Sequence, residues 1–109
     1  MKMTNIPFMQ TDWSKIEPEV HPGEKGNAYW RTQQCGEIRV RMVEYSPGYV
    51  ADHWCEKGHV LLVLEGELEV SLADGRKFIL SPGTSYQVAD GTMAHRSATK
   101  TGAKLFIID

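Results

Sequence analysis

The chain is short of cysteine, of net charge and of long apolar runs, and each shortage removes a class of protein. Only two of its 109 residues are cysteine, Cys35 and Cys55. That is too few for a disulfide framework: at most the two form a single bridge, and otherwise each thiol is structural, catalytic or a ligand. Twelve Lys and Arg against 14 Asp and Glu leave a net charge of -2, so the basic footprint that binds phosphate backbones or anionic lipid is missing. No run approaches the ~20 apolar residues needed to cross a bilayer, and the opening Met1-Lys-Met-Thr-Asn-Ile-Pro7 has no signal-peptide core. These absences predict a cytoplasmic chain with neither nucleic acid nor membrane as a partner. Phosphate-cradling glycine loops, a nucleophile elbow and paired catalytic carboxylates are absent as well, since Glu65, Glu67 and Glu69 are spaced as one solvated strand face.

Helical periodicity is also missing, and short β segments stand in its place. Ile38, Val40 and Met42 alternate with Glu37, Arg39 and Arg41, the two-residue period of a strand with one buried face. On that phase Arg39 and Arg41 are solvated or interfacial; if the interior lies on their side instead, one of them can grip a carboxylate. Val60 to Leu64 is a continuous apolar run, and Leu68, Val70 and Leu72 alternate with polar residues up to Asp74-Gly75, a dipeptide suited to a tight hairpin turn. Further strands are expected over Arg76 to Leu80, Ser85 to Val88, His95 to Ala98 and Lys104 to Ile108. Such a chain is all-β, a sandwich or barrel over residues 29–109. Residues 1–28, broken by Pro7, Pro18 and Pro22, read as an irregular N-terminal arm with one helical turn after Ser14.

Metal-ligand side chains concentrate in one stretch. His53, Cys55 and His59 lie between Gly48 and Gly66, and His95 stands further on. If Asp52 to Cys55 is extended, His53 and Cys55 leave the same face and can converge on one cation. Two readings stay open on spacing alone: a metal site, or a small core thiol with buried neutral histidines, for no zinc-finger or helical two-histidine pattern is present. On the same strand Asp52 and Trp54 point outward, so Asp52 reaches a ligand imidazole only if the strand bends. Tyr86, Met42 and Met93 read as wall residues, and Arg96 alternates outward from His95.

These residues resemble the cupins, small jelly-roll β-barrels that often hold a metal. Gly48, His53, Cys55, His59 and Gly66 occupy the places of the first cupin motif, with Cys55 standing for its second His and His59 for its Glu. Gly83, Ala89, Gly91, His95 and Thr99 look like the second motif, with Ala89 where a Pro is usual and Thr99 where an Asn is. Asp52-His-Trp-Cys55, Lys57-Gly-His59 and the ending Gly102-Ala-Lys-Leu-Phe-Ile-Ile-Asp109 are similar to a group of single-domain cupins known by an Asp/His/Trp/Cys motif.

The resemblance implies a divalent transition metal held by His53, Cys55, His59 and His95 inside the barrel. Zinc is favoured if Cys55 coordinates; three histidines alone leave open positions suited to iron, and nickel or copper also fit such donors. It further implies a small polar ligand or substrate and either metal-dependent enzymatic chemistry, dioxygenase-like or isomerase-like, or a non-catalytic sensing module. Cys55 is the candidate reactive thiol in either case. Trp13 and Phe8 in the arm and an outward Trp54 predict a two-fold homodimer.

Overall fold

The computed structural model describes residues 3–109. Two antiparallel sheets face each other. Strands β1 (Glu19–Pro22), β2 (Asn27–Cys35), β3 (Ile38–Tyr45), β4 (His59–Gly66), β5 (Leu68–Leu72), β6 (Lys77–Leu80), β7 (Ser85–Val88), β8 (His95–Ala98) and β9 (Ala103–Ile108) follow one another in the chain. The larger sheet runs β1-β2-β3-β9-β4-β7 and the smaller β6-β5-β8. Among the described residues the only helical element is a 3₁₀ turn, Trp13–Lys15, capped by Asp12, whose carboxylate accepts from the Ser14 backbone N–H. The all-β expectation therefore holds; the helical turn lies at Trp13–Lys15, where the sequence placed one after Ser14.

The core forms where alternate side chains of the two sheets meet. Leu61, Val63, Leu105 and Ile107 of the large sheet and Leu68, Val70 and Leu80 of the small one are buried, and Tyr45 stacks on Tyr49 with ring centroids 4.1 Å apart. Asp74-Gly75 makes its turn, with Gly75 at φ 96° and the Asp74 carboxylate accepting from the Arg76 backbone N–H. A left-handed φ of this kind carries a steric cost for residues with a Cβ.

Two local expectations are corrected. Residues 1–28 are less irregular than expected: Glu19–Pro22 forms β1 on β2, which begins at Asn27, while Met1 and Lys2 lie outside the described residues. The facing of β3 is also reversed, because Arg41, Val43 and Tyr45 are buried whereas Val40 and Met42 are only half-buried on the other face. This strand is apolar on both sides, so alternation cannot choose its inner face. The outer side is partly covered by the arm, where Trp13 meets Phe106 edge-on and the Ile16 carbonyl accepts from Arg31. Both cysteines are free, with Cys35 against the Met9 sulfur at 3.3 Å, so the single bridge that the count allows is not formed.

Candidate metal centre

Three elements bring Cys55, His59 and His95 together. Residues 49–58 are not a regular strand: they cross the end of the small sheet and touch it through isolated bridges, Val50 to Ala98 and Cys55 to His95. At the second bridge the Cys55 N–H donates to the His95 carbonyl at 2.8 Å and the His95 N–H to the Cys55 carbonyl at 2.9 Å. Directly paired residues project their side chains to the same face, so this exchange sets the thiol beside the imidazole. His59 opens β4, immediately after a glycine that close packing requires: a Cβ on Gly58 would lie 2.6 Å from the Asp90 nitrogen and 2.8 Å from the Val88 carbonyl oxygen. The β4–β7 register sets Leu61 opposite Tyr86, and the Tyr86 hydroxyl reaches diagonally to His59 Nε2 at 2.9 Å.

One ligand atom from each of Cys55, His59 and His95 lies within 4.8 Å of the others. The tautomers are set by what each ring touches on its far side. His95 Nδ1 stands 3.0 Å from the Met93 carbonyl, which can only accept, so Nδ1 carries the proton and Nε2 presents a lone pair. His59 Nδ1 faces the Asp109 carboxylate at 3.7 Å, which favours the same tautomer. The two Nε2 atoms are 3.0 Å apart. Two lone pairs at that distance repel unless a cation or a proton lies between them, and nitrogens bound to one tetrahedral zinc ion sit about 3.3 Å apart. The donor set of one thiolate and two imidazoles thus fits a borderline transition metal.

Burial reinforces this state. Desolvation holds His95 below its ordinary value, with the Met93 carbonyl acting the other way and His59 adding to the fall, so the ring is neutral at physiological pH. Burial likewise pushes the Tyr86 hydroxyl far above its usual range, so it stays neutral beside His59.

Behind His59 lies an ion network that joins β3 to β9. The Asp109 side chain, 1% exposed, accepts from Arg39 Nε at 2.9 Å and from a second Arg39 nitrogen at 3.1 Å, and from Arg41 at 2.9 Å. Desolvation raises its carboxyl, but the His59 imidazole and the two guanidiniums outweigh that and hold it below the usual carboxylate range. Arg41 is 5% exposed, and burial pulls it below its ordinary value. Its guanidinium stands over the Trp30 ring, 4.3 Å from the centroid, and His21 stacks against the same ring. Arg39 and Arg41 therefore line the interior rather than solvent or an interface.

Of the residues expected at the site, the fold brings Cys55, His59 and His95 together and places His53 at the rim. Asp52 and His53 sit in a bend, with the His53 side chain 72% exposed and its Nδ1 2.6 Å from the Asp52 carboxylate. The bend, where an extended strand was expected, cancels the two-residue convergence of His53 with Cys55. Trp54 stays half-exposed beside it, and Arg96 turns outward, donating to the Ala51 carbonyl and pairing with Glu24. Tyr86 and Asp109 enter the site although the sequence did not single them out as participants, and Met93 takes part only through its backbone.

A cavity of about 410 Å³ opens over the centre, walled by Trp30, Tyr45, Tyr49, Leu61 and Ile107 together with the three ligand residues, Tyr86, Asp109 and its two arginines. That volume falls in the range of small-molecule sites.

No family model matches the chain, and no curated protein does. Solved structures share its architecture. A predicted oxalate decarboxylase from Thermotoga maritima is 17% identical, with a TM-score of 0.79 over 92% of this chain and 96% of that one. An RmlC-like cupin from Shewanella frigidimarina is 21% identical, with a TM-score of 0.72 over 96% and 92%. Ectoine synthase from P. lautus is 13% identical, with a TM-score of 0.75 over 93% and 76%. At such identities the likeness is one of fold: the neighbours are cupin-superfamily proteins, and this chain is a jelly-roll barrel of the same kind.

Proposed function

We propose that this barrel binds one divalent transition metal through Cys55 Sγ, His59 Nε2 and His95 Nε2, and takes a small polar molecule into the cavity above it. The observation that carries the reading is the convergence of the three ligand atoms within 4.8 Å, with the two Nε2 atoms 3.0 Å apart. Three protein ligands leave a fourth position open, the arrangement of catalytic rather than structural zinc sites, and a thiolate favours zinc over iron among the candidates. The metal, when bound, supplies Lewis acidity to an oxygen at that open position. Tyr86, buried and neutral beside His59, supplies a hydroxyl on the same side.

The named activities of the structural neighbours, a decarboxylase and ectoine synthesis, differ in chemistry, so no single reaction transfers from them. Asp52-His-Trp-Cys55 at the cavity rim supports membership of the Asp/His/Trp/Cys-motif cupins. Purified without chelator, the protein is expected to carry about one metal per chain by elemental analysis, and His59→Ala, His95→Ala and Cys55→Ser each to lose it. Undiminished metal in all three variants would end the proposal.

The same reading includes a two-fold dimer. Across β3, β9 and β4 the outer face aligns Val40, Ile108 and Val60 in one row and Met42, Phe106 and Leu62 in the next. Beyond them Lys104 pairs with Glu65 as a charged margin. An apolar centre with a polar rim suits a second copy related by two-fold symmetry. Sedimentation at micromolar concentration is expected to give a dimer, and a Leu62→Glu variant a monomer; a monomeric parent protein would refute it.

A further inference from the structure

The cavity lining carries more positive than negative charge, Arg39, Arg41, Lys57 and Arg96 against Glu56 and Asp109. On the inner wall Arg39 and Arg41 share the one carboxylate of Asp109, while at the exposed rim Arg96 pairs with Glu24 and Lys57 stands next to Glu56, so one guanidinium charge on the inner wall lacks a counter-charge. The shortfall falls on the more buried of the pair. Only one nitrogen of Arg41 has an acceptor among the described residues, and Arg41 Nε is buried with none. A buried guanidinium with unmet donors is costly, and a bound anion offsets that cost.

We propose that the ligand of this cavity is a small organic acid whose carboxylate is taken by Arg41 with the help of Arg39, while its carbon skeleton lies along Leu61 and Ile107. Geometry and charge favour a carboxylate over a phosphate. Guanidinium donors lie in one plane and match the two oxygens of a planar carboxylate, and a single excess charge balances a monoanionic group better than a dianion. Apolar wall area suits the rest of an organic acid and has no partner in inorganic phosphate. The inference rests on the cavity being a ligand site, as in the reading above, and not on the metal.

The test titrates benzoate and succinate against benzamide and succinamide, with inorganic phosphate as a separate arm, by calorimetry on metal-free and metal-loaded protein. At least one acid is expected to bind roughly tenfold or more tightly than its amide, with or without metal, because the amide cannot form the charge-assisted pair. Arg41→Met should abolish that preference. Arg39→Met, at a more exposed position and so less apt to disturb folding, should do the same by leaving Arg41 and Asp109 balanced. Acid and amide binding alike, no acid binding at millimolar concentration, a preference that persists in both folded variants, or phosphate binding more tightly than either acid would each overturn the assignment. Metal content is measured separately, so a chain that binds acids without metal would refute the metal centre and leave this inference standing.

Discussion

Replacing Asp109 with Asn is expected to lower the unfolding free energy of the metal-free protein by about 3–5 kcal/mol, the usual cost of removing one partner from a buried ion pair. The carboxylate is almost wholly buried and accepts from both Arg39 and Arg41. Its loss leaves two guanidiniums facing each other without a counter-ion. In a domain whose total stability is of order 5–15 kcal/mol, that should bring the thermal midpoint down by more than about 12 °C. Urea unfolding of the two proteins measures it. A change below about 1 kcal/mol is what an exposed pair is worth, and would mean that water reaches the network. The sign with pH follows from the depressed carboxyl of Asp109. Its contribution is complete above the unfolded value of about 4 and is lost as the pH falls through the folded value below it. The parent protein should therefore weaken on acidification in that window, and the Asn variant should show a smaller acid dependence there.

The same network marks how far the sequence could be read. Features set by neighbours in the chain were legible: the Asp74-Gly75 turn and the alternation of Leu68 and Val70. Each depends on a few consecutive residues, where turn chemistry and a period of two act directly. The facing of Arg39 and Arg41 was not legible, because β3 carries apolar residues on both sides and the arm covers part of the outer one. Asp109 escaped notice for a related reason. It meets its arginines only through the pairing of β9 with β3, where the Arg39 and Asp109 backbones bond to each other at 2.7 and 2.9 Å. An acid ending an apolar strand, in a chain with two arginines alternating along another, was the available signal. The histidines were easier to pick out than to place: His59 opens β4 of the large sheet and His95 opens β8 of the small one, and the two rings meet across the interior, whereas His53 sits on a bend that no period describes.

That difference separates the imidazoles experimentally. His95→Ala is expected to weaken zinc binding by more than about 100-fold, beyond the 10- to 100-fold typical of losing a group that only orients a ligand. His53→Ala should stay within about 10-fold of the parent, because its ring is exposed and held by Asp52 outside the Cys55, His59 and His95 group. Asp109→Asn belongs between them: at 3.7 Å from His59 Nδ1 it favours the tautomer that turns Nε2 toward the metal without touching it. Competition against a chromophoric zinc chelator gives all three affinities on one scale, with circular dichroism confirming that each variant is folded. The order matters more than any single value. If His53→Ala lost zinc as completely as His95→Ala, the bend at Asp52 and His53 would have to close on metal binding and bring a third imidazole onto the ion. The open position would then be filled by the protein, and the site would be structural rather than one that admits a ligand oxygen.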